Sequence, residues 1–90
     1  MAKFELGAVV TTPGAFYALA RAGQSAAEFL RRHANGDWGE LDELDKAENE
    51  HAMSHQGRLV STYQTSVGSK LWIITESDRS VTTLLLPSEY

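Results

Sequence analysis

The chain has 90 residues, with 8 basic against 12 acidic side chains and a formal net charge of -4. That length allows one domain, 1–90, with a modest core and marginal stability on its own. The charge repels nucleic acid and anionic membrane surfaces and suits a basic partner surface better. Cysteine is absent, which excludes disulfides, zinc–thiolate sites and thiol nucleophiles. The opening MAKFELGAVV lacks the charged segment and long apolar run of a signal peptide, and no apolar stretch approaches membrane-spanning length, so the expected location is the cytoplasm.

In chain order, Phe4, Leu6, Ala8 and Val10 alternate with Lys3, Glu5, Gly7 and Val9, which predicts a first strand with one buried face. Thr12 before Pro13 is a helix entry, because a hydroxyl caps the first amides and proline suits the first helical position. The helix is expected to run to Ala22, stop at Gly23, and bury Phe16, Leu19 and Ala20. Ser25 with Glu28 three residues later has the spacing of a capping box and opens a second helix that buries Phe29 and Leu30 and ends near Asn35-Gly36. After a Gly-Asp-Trp-Gly turn holding Trp38, the carboxylates of Asp42 and Asp45 mark the amino end of a third helix from Glu43 to His55, with Gly57 as its stop. That helix is weakly amphipathic, with Leu44, Ala47 and His51 on one face.

The segment from Arg58 to Pro87 then reads as three consecutive strands with turns short enough to force an antiparallel meander. The expected fold is α+β, in the order β-α-α-α-β-β-β, with the meander sheet packed against three short helices. Around Trp72 the strand is apolar on both sides, Leu71 and Ile73 pointing one way and Trp72 and Ile74 the other. Such a strand is central and needs cover on both faces. Three short helices cover one face well and hardly two, so the Trp72 side is expected to meet a partner or a second copy.

Three constellations carry polar chemistry. Glu48, His51 and His55 place two imidazoles one helical turn apart, but a third zinc ligand would have to come from His33 or a distant acid, and a solvated helix face is the expected role. In Arg31-Arg32-His33-Ala34-Asn35-Gly36-Asp37-Trp38-Gly39 a cationic helix end meets a glycine-flanked acid and indole, with Trp38 folding back over the helix end and His33 and Asp37 as polar tips. The turn Thr75 to Ser80 is expected to be a structural hairpin in which Arg79 pairs with Asp78, Glu76 or an acid of the third helix. A catalytic reading of the same sheet sets Arg58, Ser61, Tyr63, Thr75, Arg79 and Thr82 around a phosphate, as a small ribonuclease requires, but no general base accompanies them. There is no nucleophile elbow, dinucleotide fingerprint or P-loop.

The segments Thr12-Pro13-Gly14-Ala15, Arg32-His33 with Gly36-Asp37-Trp38-Gly39, and Trp72 to Ser80 with Leu85 to Tyr90 together resemble a family of small bacterial proteins of similar size. Its members occur also on plasmids and phages and are sometimes labelled plasmid-related or type I restriction subunit M proteins. The resemblance spans nearly the whole chain and implies no active-site residue. The label carries no methyltransferase chemistry here, since that activity requires a cofactor-binding domain and an amino-methylating motif. A second, looser resemblance joins GRLVSTYQTSVGSKLWIITE to the sheet of toxin ribonucleases of the RelE and BrnT kind.

The reading that follows is a non-enzymatic interaction module of the bacterial cytoplasm, borne by mobile elements and linked to host defence or counter-defence; a toxin-type ribonuclease is the alternative. The expected contact residues are Trp72, Trp38, Tyr63, Asp78 and Arg79. The expected partner is another protein or a second copy, with no cofactor, no metal, no membrane and no nucleic acid.

Overall fold

The computed structural model describes residues 2–90, and among them the elements follow the expected order. Strand β1 (Ala8–Thr11) leads into helices α1 (Pro13–Ala22), α2 (Ala26–Ala34) and α3 (Glu43–His55). Strands β2 (Leu59–Gln64), β3 (Lys70–Thr75) and β4 (Val81–Leu85) complete the sheet, and a 3₁₀ turn, Pro87–Glu89, follows. The fold is α+β. The sheet order is β1-β4-β3-β2: the meander is antiparallel as expected, and β1 joins it parallel to β4.

Strand β1 is shorter than the period-2 pattern suggested. Gly7 sits at φ +66°, and a Cβ there would lie 2.3 Å from Ser80 O, so the extended chain begins only after it. Phe4, in phase with the strand by sequence, instead stacks on Trp38 and meets His33 edge-on. Most of β1 is exposed, so the expected buried face is not formed.

Local chemistry sets the helix ends. Thr12 Oγ1 accepts from Ala15 N and Gly23 closes α1 in the left-handed conformation. Asp42 accepts from Asp45 N, and Gln56 at φ 54° ends α3 just before Gly57. The Ser25 hydroxyl makes no capping bond, and Glu28 accepts from Gln24 Nε2 at 3.0 Å instead, so the capping box is absent.

The burial phase departs from expectation in two helices. On α1 the buried residues are Ala15, Ala18 and Leu19, while Phe16 and Ala20 are exposed. Two alanines let α1 approach the sheet closely, and the aromatic ring is turned outward. On α3 the buried residues are Asn49 and Ala52, with Leu44, Ala47 and His51 exposed. The reason is position: α3 packs at the β2 end of the sheet, where its Asn49 faces strand backbone.

The core lies on one face of the sheet. Leu71, Ile73, Leu84 and Tyr63 pack with Ala15, Leu19 and Phe29, and Leu59 packs with Trp38 and Ala52 in a second cluster. Strand alternation puts Trp72, Ile74, Thr83 and Leu85 on the opposite face. There Trp72 is half-buried and meets the Tyr90 ring edge-on at 5.5 Å, and Arg58 donates to the Tyr90 hydroxyl at 2.7 Å. Ile74 and Leu85 are buried, so this face is less open than the sequence implied.

Candidate interaction surface

The two edges of the sheet are treated differently. On β2 the backbone groups of Val60 and Thr62 that turn away from β3 are all paired. Asn49 Nδ2 donates to Val60 O at 2.7 Å and Oδ1 accepts from Val60 N at 3.2 Å. Thr62 N donates to Trp38 O and Glu40 N donates to Thr62 O at 2.7 Å, so the Trp38–Glu40 loop forms a short parallel bridge along the edge. A helix and a loop thus close this edge against strand addition.

No such closure exists at β1. Ala8 N donates to Ser80 O and Thr12 N to Leu84 O, so alternation turns the N–H and C=O of Val9 and Thr11 away from β4. Among the described residues no backbone or side-chain group pairs with them. Around this edge the apolar side chains are open: Val9 is 46%, Val10 48%, Phe16 62% and Tyr17 67% exposed, four of the seven large exposed hydrophobics among the described residues. Thr11, Phe16, Leu19 and Ala20 line a groove of about 250 Å³ beside the strand. Residues 6–20 contain none of the chain's acidic or basic side chains. Natural edge strands are normally guarded by shortness, a charge, a bulge or a covering element; this one is four residues long, with Gly7 and Pro13 at its limits, and carries no charge. The sequence carries this signal as a charge-free run that contains Phe16-Tyr17, but Phe16 reads as core by residue type alone, which hides it.

The residues singled out from the sequence do not converge on one surface. Trp38 and Tyr63 are interior: Trp38 Nε1 donates to Glu50 at 2.8 Å, and the Tyr63 hydroxyl donates to Asp37 O at 2.5 Å. Neither is available to a partner in the folded chain. Burial holds the Tyr63 phenol up at about 12. Asp78 is exposed but tied to its own turn, accepting from Ser80 N and Ser80 Oγ, which holds its carboxyl below the usual range. Arg79 makes none of the expected carboxylate pairs. Its guanidinium donates to four backbone carbonyls, those of Ala52, Gly57, Glu76 and Ser77, and so ties the end of α3 to the β3–β4 turn. Trp72 alone lies on an outer face, with Tyr90 against it.

The phosphate-contact set is likewise dismantled. Ser61, Tyr63, Thr75 and Thr82 are all buried under the helices, out of reach of a substrate. Three of them instead join His33 in a hydrogen-bond chain. Thr82 Oγ1 donates to Leu6 O at 2.7 Å, so its contact with Thr75 Oγ1, also 2.7 Å, must be donated by Thr75. Thr75 has then spent its proton and accepts from His33 Nε2 at 2.9 Å, leaving Nδ1 to accept from Ser61 Oγ at 2.5 Å. The chain thereby fixes the Nε2–H tautomer and binds α2 to β2, β3 and β4. Burial lowers the His33 pKa to about 4. His33 is therefore a core histidine, not the polar tip of a surface site. Arg32 and Asp37 do pair, at 2.7 Å, with the guanidinium holding the carboxyl below its usual range.

On α3 the His51 and His55 rings stack at 3.9 Å, and among the described residues no group of three or more potential ligands converges. Among those residues, no helix is long and apolar enough to cross a membrane.

Comparison with family models, with curated proteins and with solved structures returned no match to the chain. The functional reading therefore stands on the surface just described.

Proposed function

We propose that this chain is a non-enzymatic protein-interaction module that binds through β1 and the outward face of α1. One observation carries the reading: an unpaired strand edge, flanked by exposed Val9, Val10, Phe16 and Tyr17, lies in the longest uncharged stretch of an acidic chain. Main-chain groups supply affinity in strand addition, and neighbouring apolar pockets supply specificity. The polar side chains that chemistry would need are engaged in structural bonds, as the hydrogen-bonding of His33, Thr75 and Arg79 illustrates. The contact surface thus moves from the expected Trp72 set to β1 and α1, with Trp72 and Tyr90 as a separate apolar pair on the far face. In keeping with the resemblance noted above, the module would work in the bacterial cytoplasm as part of a mobile element, beside or against a host defence system.

Site-specific photo-crosslinking in cells tests this. A photoreactive residue in place of Phe16 is expected to give a discrete protein adduct. The same residue in place of Leu44, which is 74% exposed on α3, is expected to give none. Equal labelling at both positions, or none at either, would refute the module.

A further inference from the structure

We infer that the partner taken by the β1 edge is a second copy of this chain, joined edge to edge so that two four-stranded sheets become one of eight strands. The inference rests on the proposal that β1 and α1 form a contact surface, and adds the identity of the occupant.

A two-fold axis perpendicular to the sheet brings β1 against β1 in antiparallel sense and keeps both helical layers on one side, an isologous joint. The groups that point outward are those of Val9 and Thr11. The register that uses all of them sets Val9 opposite the partner's Thr11 and Thr11 opposite the partner's Val9, giving four backbone hydrogen bonds. Val10 then faces Val10 of the partner subunit across the axis, as a non-hydrogen-bonded pair with side chains in close contact. The pleat agrees with this register. Val9 and Thr11 pair in the sheet with Thr82 and Leu84, on the helix side, whereas Val10 pairs with Thr83 on the opposite side. Like faces therefore meet like.

Charge and length both admit a copy at this edge. Two molecules that each carry a net charge of -4 repel in general, but residues 6–20 bring no charge to the joint. The open strand is only Ala8–Thr11, bounded by Gly7 and by the helix that starts at Pro13, and a second copy presents an edge of the same length with the same limits. On the helix side the joint brings together the grooves lined by Phe16 and Ala20 of each copy.

The chain has no cysteine, so a single introduced thiol can form a disulfide only between molecules. Under mild oxidation Val10→Cys is expected to crosslink to a dimer at least about tenfold faster than Val67→Cys, because pairing replaces random collision by a high effective concentration. Val67 is the fair control, being 57% exposed and distant in the β2–β3 turn. In sedimentation, the unaltered protein is expected to shift from monomer to dimer with rising concentration. Val10→Lys, which sets two ammonium groups face to face, is expected to stay monomeric while keeping its circular dichroism. Equal crosslinking rates for the two cysteine variants, or a monomer at every concentration, would overturn the dimer. If the protein stays monomeric and Val10→Lys abolishes an adduct formed at position 16 with a different protein, the dimer is overturned and the interaction module stands. If the protein stays monomeric and position 16 gives no adduct, both fall.

Discussion

The Asn49 side-chain amide takes both edge groups of Val60, donating to its carbonyl at 2.7 Å and accepting from its N–H at 3.2 Å. One side chain thus does for β2 what a neighbouring strand would do, and nothing equivalent stands beside Val9 and Thr11 on β1. Asn49→Ala is expected to lower stability by about 1–3 kcal/mol, the cost of leaving part-buried backbone groups unpaired. It should also raise the tendency to aggregate, because a second edge opens. Urea denaturation and light scattering read the two effects separately.

The buried His33 predicts a specific acid sensitivity. Its pKa is lowered to about 4 in the folded chain, against an unfolded value near 6.5. Between those values the unfolded chain binds the proton and the folded one does not, so stability rises with pH through that window and is lost as pH falls. The full difference approaches about 3 kcal/mol at pH 4. His33→Gln, which keeps an amide able to bond Ser61 and Thr75, is expected to flatten the stability profile between pH 4 and 6.5. A profile with unchanged slope would show that the imidazole is not shielded.

Arg79 is expected to matter for stability and not for any reaction. Arg79→Ala removes donors from four carbonyls and should cost about 1–3 kcal/mol. Because Arg79 sits at φ 61°, Arg79→Gly should be milder than Arg79→Ala by about 1 kcal/mol. Thermal denaturation of the two variants gives the order directly. The reverse order would mean that the left-handed backbone at this turn is not strained.

Two glycines with similar backbone angles separate conformational strain from collision. Gly23 and Gly39 lie at φ +67° and +75°, but a Cβ at Gly23 meets nothing, whereas one at Gly39 would lie 1.9 Å from Thr62 O. Gly23→Ala is expected to cost about 1 kcal/mol, from strain alone. Gly39→Ala should cost several times as much, because the Trp38–Glu40 loop must leave the β2 edge. Amide exchange at Thr62 would rise in the second variant only.

The helix ends and the meander were legible because they depend on local chemistry: Thr12-Pro13, Gly23 and Asp42 act within a few residues of themselves. Burial phase was not, because it depends on what each helix meets. Phe16 looked like core by residue type, yet Ala15 and Ala18 face the sheet. The parallel pairing of β1 with β4 joins residues more than seventy positions apart, and no local pattern encodes it. The same limit misplaced Ser61, Thr75 and Thr82, whose hydroxyls suit a phosphate or a buried histidine equally well until the helix layer fixes which face is inside.

Amide hydrogen exchange at Val9 and Thr11 tests the central claim most directly, since it reads the unpaired groups themselves. In dilute, isolated protein both amides are expected to exchange rapidly, while those of Val60 and Thr62 are protected by Asn49 and Trp38. In concentrated protein, or with the crosslinked partner added, Val9 and Thr11 are expected to become protected with little change elsewhere in the sheet. Rapid exchange of Val9 and Thr11 under every condition would contradict the claim that this edge is completed by another chain.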